Sequence, residues 1–193
     1  MKVAGVQCDI AWEDAELSLR RIEPWFDAAA AQQVRLLVLP EMFATGFSMD
    51  VPKLAAAASH IERRLRELAR HHRMAVVAGV ADALPGDLEG RGCNLALAFD
   101  ATGEPIGRYQ KIHPFSFGDE HRHYRGGEAL TALEIEGVRI TPFICYDLRF
   151  PELFRAAADR TDLMLVIANW PRARRHAWRS LLVARAIENQ CYV

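Results

Sequence analysis

Three apolar runs, "VRLLVLP" (34–40), "MAVVAGV" (74–80) and "DLMLVIANW" (162–170), constrain this chain more than any other feature. None alternates polar with apolar residues, so each reads as a strand buried on both faces. Between them lie segments with helical spacing. One is "AELSLRRIEPWFDAAAAQQ", with Pro24 as an irregularity; another covers residues 53–73, with Ile61, Leu65, Leu68 and His72 on one face. Strands that need cover on both sides, separated by helices able to provide it, predict an α/β fold. "KVAGVQCD" at the start reads as a further strand.

The middle of the chain changes character. "CNLALAFD" and "PIGRYQKIH" read as adjacent strands joined by the turn "DATGEP", and "TALEIEGVRITPFICYD" as a hairpin turning at Glu136–Gly137. Between them "PFSFGDEHRHYRGGEA" is too long and irregular for a plain connection and reads as a functional loop. Pro151 suits the first position of a helix over "PELFRAAADR", and "PRARRHAWRSLLVARAIENQ" reads as a long helix. With no repeat or linker, residues 1–193 are expected to form a single domain.

Several function classes are disfavoured. The net charge of -1 gives no polyanion-binding signature, and the basic run "ERRLRELARHHR" carries Glu62 and Glu67 at helical spacing, as a solvated face does. No nucleic-acid partner is expected. No apolar window approaches the length of a membrane span, and Asp9 interrupts the N-terminal apolar stretch too early for a signal peptide. Cys8, Cys93, Cys145 and Cys191 are scattered without a CxxC pair, which fits a reducing cytoplasm better than a disulfide scaffold. "GDEHRHY" sets His121 and His123 at alternate positions, so one strand face could present both to a metal, but no third ligand stands at a recognisable spacing. Neither GxSxG nor GxGxxG occurs. No metal or cofactor is expected.

"FICYDLRFPE" (143–152) holds the residue of greatest chemical interest. A free cysteine is commonly a buried, inert filler. Cys145, however, ends a strand about six residues before a helix, a strand–turn–helix geometry that exposes a nucleophile and aims backbone N–H groups at it. Those amides and nearby positive charge are expected to depress its pKa. Open α/β sheets bind ligands beyond the carboxyl ends of their strands. Glu41 directly follows "RLLVLP" and Lys111 ends "GRYQK", supplying a carboxylate to take a proton and an ammonium to stabilise an oxyanion.

"LPEMF", "YQKIHPF" and "ICYDLRFPE" resemble, in this order, the three signature segments of the nitrilase superfamily of carbon–nitrogen hydrolases. The resemblance extends from "VAGVQCD" to "ARAIENQCYV". It implies an αββα four-layer sandwich, usually paired as a homodimer, with Glu41 as general base, Lys111 as transition-state stabiliser and Cys145 as the nucleophile that forms a thioester. It also implies that Glu120, in "GDEH", is a second glutamate near the thiol. Relatives continue past "NQCYV" into further strands, so the domain is expected to be C-terminally incomplete.

Within the superfamily, "CYDLRFPE", "VIANWP" and "WRSLLVARAIENQ" look most like the omega-amidases, which act on 2-oxo acid amides such as 2-oxoglutaramate and 2-oxosuccinamate. Another amidase or an N-carbamoyl hydrolase is the alternative, and a catalytically silent scaffold on the same fold is the non-enzyme one. A carboxylate-bearing substrate would suit the arginines here. Arg172, Arg174, Arg175 and His176 open the last helix, where cations oppose the macrodipole, and Arg149 follows the cysteine by four residues. The expected substrate contacts are Tyr146, Arg149, Asn169, Trp170 and Arg172.

Overall fold

The computed structural model describes all residues, 1–193. In chain order its elements are β1 (Val3–Gly5), α1 (Ala15–Ala31), β2 (Leu36–Val38), α2 (Val51–His72), β3 (Ala75–Ala83), β4 (Gly92–Phe99) and β5 (Pro105–Gln110). They are followed by α3 (Glu120–His123), β6 (Leu133–Ile135), β7 (Val138–Ile144), α4 (Pro151–Ala157), β8 (Leu163–Ile167) and α5 (Arg175–Asn189). One sheet has the order β1-β2-β3-β4-β5, the first three strands parallel and the last two antiparallel. The other is β6-β7-β8, a hairpin followed by a parallel pair.

The layering follows from the two-residue repeat of a strand, which sends successive side chains to opposite faces. Val76, Ala78 and Val80 of β3 pack with Leu95 and Leu97 of β4 against Ile22 and Phe26 of α1 and Ile61 and Leu65 of α2. Their neighbours Ala75, Val77, Ala96 and Ala98 face the other way and meet Ile140 and Ile144 of β7 and Leu165 and Ile167 of β8. Phe143 and Met164, on the far face of the second sheet, pack under Phe154 and Ala157 of α4, with α5 alongside. The result is helix, sheet, sheet, helix. Each fully buried side chain of this size contributes roughly 1.5–3 kcal/mol, so the strands lock together through both faces.

The helix boundaries have local causes. Asp14 caps α1 by accepting from the Leu17 N–H at 2.9 Å, and the helix continues through Pro24 on its exposed side. Asp50 caps α2 through the Lys53 N–H, so this helix starts two residues before the expected 53. The 136–137 turn is as expected, with both residues at positive φ. The connection at 114–129 is not structureless: a 3-10 turn (Ser116–Gly118) leads through left-handed Asp119 into α3. His121 and His123 are therefore on a helical turn, not a strand face, and both are exposed. The last helix is also shorter than expected. Pro171 begins a 3-10 turn over Arg172–Arg174, closed by the Arg174 N–H on the Pro171 carbonyl at 2.9 Å, and α5 proper starts at Arg175. No helix is long and apolar enough to cross a membrane.

Candidate active site

The carboxyl ends of β2, β5, β7 and β8 converge between the two sheets, each delivering one polar group. After β2 the chain runs close along β3, with the Gly79 N–H donating to the Pro40 carbonyl and the Phe43 N–H to the Gly79 carbonyl. A Cβ on Gly79 would lie 2.4 Å from the Glu41 Cα, so only glycine permits this approach. Glu41 is thereby set wholly inside the protein. Lys111, one residue past β5, is held by its N–H on the Asn94 carbonyl of β4 at 2.9 Å. Its Nζ lies 2.8 Å from Glu41 Oε1 and 2.8 Å from Glu120 Oε2. Glu120 opens α3, and the Phe115 N–H donates to its Oε2.

Cys145 follows β7 with φ of +48°, a left-handed conformation that L side chains rarely adopt. The strain is offset by Asp147, which accepts from the Ile144 N–H, the Tyr109 hydroxyl, the His113 N–H and His113 Nδ1, at 2.8 to 3.3 Å. This one buried carboxylate fixes both the cysteine turn and the segment carrying Lys111. The Cys145 Sγ donates a long contact, 3.9 Å, to the Asn169 carbonyl. Asn169, just after β8, donates its N–H to Glu41 Oε2 at 2.8 Å and its Nδ2 to the Glu41 carbonyl at 3.2 Å.

The electrostatics correct one expectation. Burial and then the Glu41 charge push the Cys145 thiol well above its ordinary 9.0, and Lys111 opposes them without prevailing. Cys145 therefore rests as a protonated thiol beside a carboxylate, not as a preformed thiolate. For Lys111, burial disfavours the charge, but Glu41 and Glu120 outweigh it and hold the ammonium above its ordinary 10.5. Burial also raises Glu120, against the pull of Lys111. A thiol, a carboxylate and an ammonium in one dry enclosure can divide the proton and charge movements of acyl transfer among them.

The expected substrate contacts are spread over two adjoining places, with Asn169 and Trp170 common to both. Tyr146 joins an aromatic rim with Phe115 and Phe150, at centroid distances of 5.0 and 5.3 Å. Arg149 is exposed, with its guanidinium over the Trp170 ring at 5.3 Å. Asn169 is engaged with Glu41, as described. Arg172 lines a cleft of about 740 Å3 together with Asn169, Trp170 and Trp178, and Cys145 is not among the residues lining it. The arginine that reaches the aromatic rim is Arg174, over the Phe115 ring at 5.4 Å, with its carbonyl held by Trp170 Nε1.

Two residues at the site were not anticipated from sequence. Asn94 bridges Glu41 and Glu120, and Asp147 braces the cysteine turn. A polar residue inside the wholly buried strand "GCNLALAF" was the available sign of the first. An acid two residues past Cys145 was the sign of the second.

A family profile described as carbon-nitrogen hydrolase matches residues 2–193. Omega-amidase YafV of Yersinia enterocolitica is 38% identical over 193 residues, covering 100% of this chain and 72% of the relative. The 2-oxoglutaramate amidase of Bacillus subtilis (strain 168) is 34% identical over 197 residues, covering 99% of this chain and 73% of the relative. Among solved structures, two mutant forms of the amidase from Nesterenkonia sp. AN1 superimpose closely. One shows Michael addition of acrylamide at the active-site cysteine, with a TM-score of 0.88 at 28% identity, over 99% of this chain and 76% of the other. The second is a complex with butyramide, with a TM-score of 0.89 at 27% identity, over 99% and 74%. From the strand-end cluster to the fold that carries it, this chain belongs to the carbon–nitrogen hydrolase family, alongside amidases of the nitrilase superfamily.

Proposed function

We propose that the protein is an omega-amidase that hydrolyses the terminal amide of 2-oxo acid amides, 2-oxoglutaramate and 2-oxosuccinamate, to the dicarboxylate and ammonia. The observation that carries this reading is the buried contact of Glu41 with Lys111 at 2.8 Å, beside a thiol at a strained turn. Cys145 Sγ attacks the amide carbon while Glu41 takes the thiol proton. The oxyanion so formed is stabilised by Lys111 Nζ, which Glu120 holds in place. Collapse breaks the C–N bond, and Glu41 returns its proton to the departing nitrogen, leaving ammonia and a thioester. Water then attacks the thioester as Glu41 accepts a proton. The thiol leaves reprotonated, and the sum is amide plus water to carboxylate plus ammonium.

Selection for an acidic substrate is assigned to Arg149, presented against Trp170, with Tyr146 and Asn169 bounding the acyl site. Arg172, in the cleft beside Trp170, and Arg174, which faces the same rim as Tyr146, are the further candidates. A guanidinium suits a planar carboxylate through paired N–H donors. A reducing cytoplasm suits a free thiol nucleophile, and a homodimer covering Val183 and Ile187, exposed on α5, is the proposed assembly. Sedimentation at micromolar concentration checks the latter.

A second reading has an observation of its own. The Nesterenkonia amidase is solved with butyramide, a neutral amide, and the rim of Phe115, Tyr146 and Phe150 is apolar enough for one. Comparing kcat/KM for 2-oxoglutaramate and butyramide at one pH separates the two. The omega-amidase reading expects a preference for the acid of at least about tenfold, since one charge-assisted hydrogen bond is worth roughly 1.5–3 kcal/mol. Equal values would favour a general aliphatic amidase. An Arg149→Met variant is expected to reduce the preference; an undiminished preference would remove Arg149 from the substrate site.

A further inference from the structure

The acceptors in the buried cluster can be counted. A carboxylate oxygen offers two lone pairs. Glu120 Oε1 receives Lys111 Nζ at 3.1 Å and Asn94 Nδ2 at 2.8 Å; its Oε2 receives Lys111 Nζ and the Phe115 N–H. All four of its positions are taken. Glu41 Oε1 receives Lys111 Nζ and Asn94 Nδ2, each at 2.8 Å, and its Oε2 receives only the Asn169 N–H. One vacancy is left among the two carboxylates, and it is on Glu41 Oε2.

Asn94 completes this pattern. It stands on the wholly buried β4, and both hydrogens of its amide go to Oε1 atoms, one on each glutamate. Turning the amide over would set its oxygen against both carboxylates, so the orientation is fixed by charge. The consequence is an Asn94 Oδ1 that is buried with no donor. A buried acceptor left unpaired is unfavourable, and here it accompanies an amide committed wholly to the cluster.

We propose that Asn94 is a positioning residue that reserves Oε1 of both glutamates as acceptors, directing the proton from Cys145 onto Glu41 Oε2 and preventing the two carboxylates from sharing it. This rests on the proposed roles of Glu41 and Cys145. Two close buried carboxylates ordinarily hold one proton between them; two amide N–H groups, added to Lys111, make that arrangement unfavourable. The titratable groups that face the cluster are Glu41 beyond β2, Lys111 beyond β5, Glu120 on α3, Cys145 beyond β7 and the Tyr124 phenol after α3.

The test is a pair of substitutions in the full chain. Asn94→Ser keeps one donor; Asn94→Asp keeps the shape and replaces both donors with acceptors. Expected is a fall in kcat with little change in KM, about 10- to 100-fold, as for a partly disabled general base. The acid limb of the kcat/KM profile is expected to move to higher pH, by about one unit in the aspartate variant and less in the serine one. The position of the limb does not depend on how much enzyme is folded, and the pH dependence of Cys145 alkylation by iodoacetamide, followed by mass, reads it without turnover. An unmoved limb in both variants would overturn the proposal, as would a raised KM at unchanged kcat. Glu41→Gln is the control. If it is inactive while the Asn94 variants keep the parental limb, only this proposal fails; if it retains full turnover, the assignment of Glu41 as base fails and this proposal with it.

Discussion

The Cys145 thiol sits beside a carboxylate that raises its pKa, so in the proposed mechanism it hands a proton to Glu41 as it attacks. Cys145→Ala is expected to abolish ammonia release from the amide, and Glu41→Gln to lower kcat by several orders of magnitude, because members of a catalytic unit fail together. Iodoacetamide carries a carboxamide and should be held as a substrate is. Peptide mapping is expected to find it on Cys145 before Cys8, Cys93 or Cys191, with protection by substrate. Faster labelling of Cys8, which is more open, would point to simple accessibility instead. Lys111 also neutralises two buried carboxylates. Its removal in Lys111→Met leaves two buried carboxylates without their cation, and breaking a buried pair in this way destabilises by about 3–5 kcal/mol. A thermal melt at pH 7 should show a clear fall in Tm. A fall that shrinks as the pH is lowered would identify charge as the cause.

At the level of elements, the site depends on close approaches that only particular backbones allow. Gly79→Ala is expected to push a Cβ into the Glu41 backbone and displace the carboxylate, with kcat falling far more than the substitution's small volume suggests. A crystal structure of the variant showing Glu41 unmoved would refute this. Asp147→Ala removes four accepted hydrogen bonds, from the Cys145 turn, from Tyr109 of β5 and from His113 beyond it, and is expected to reduce both stability and turnover. The strands and helices, and the three polar residues at strand ends, were legible because apolar runs and turn residues act locally. Glu41 and Cys145 each follow such a run directly, and Lys111 comes just after the end of β5. The roles of Asn94 and Asp147 were not legible, because they depend on distant partners: Asn94 lies 53 residues from Glu41, and Asp147, besides its local bond to Ile144, reaches Tyr109 38 residues away. The rest of the chain decides which of its buried polar residues meet. The direction of the thiol shift was missed because burial, the largest influence on it, is a property of the closed sandwich.

For the whole molecule, the protons held by the interior set its tolerance of alkali. The folded chain raises all four thiols above 9.0, Tyr109 and Tyr124 above 10.0 and Lys111 above 10.5. Groups whose folded pKa is raised contribute stability that is complete below the unfolded value and is lost as pH rises toward the folded one. Tm is therefore expected to hold steady to about pH 8 and to fall from about pH 9 upward. A Tyr109→Phe, Cys145→Ala double variant should lose less over that interval; an identical slope would locate the lability elsewhere. The convergence of four strand ends has a further consequence, for the order in which the chain assembles. Glu41 meets Lys111 across 70 residues and Asn169 across 128. Loops of that length close late, after helices and hairpins have formed. Refolding from denaturant should then restore helical circular dichroism in an early phase and amidase turnover only in the slowest one, so that the first catalysed reaction marks the docking of the two sheets.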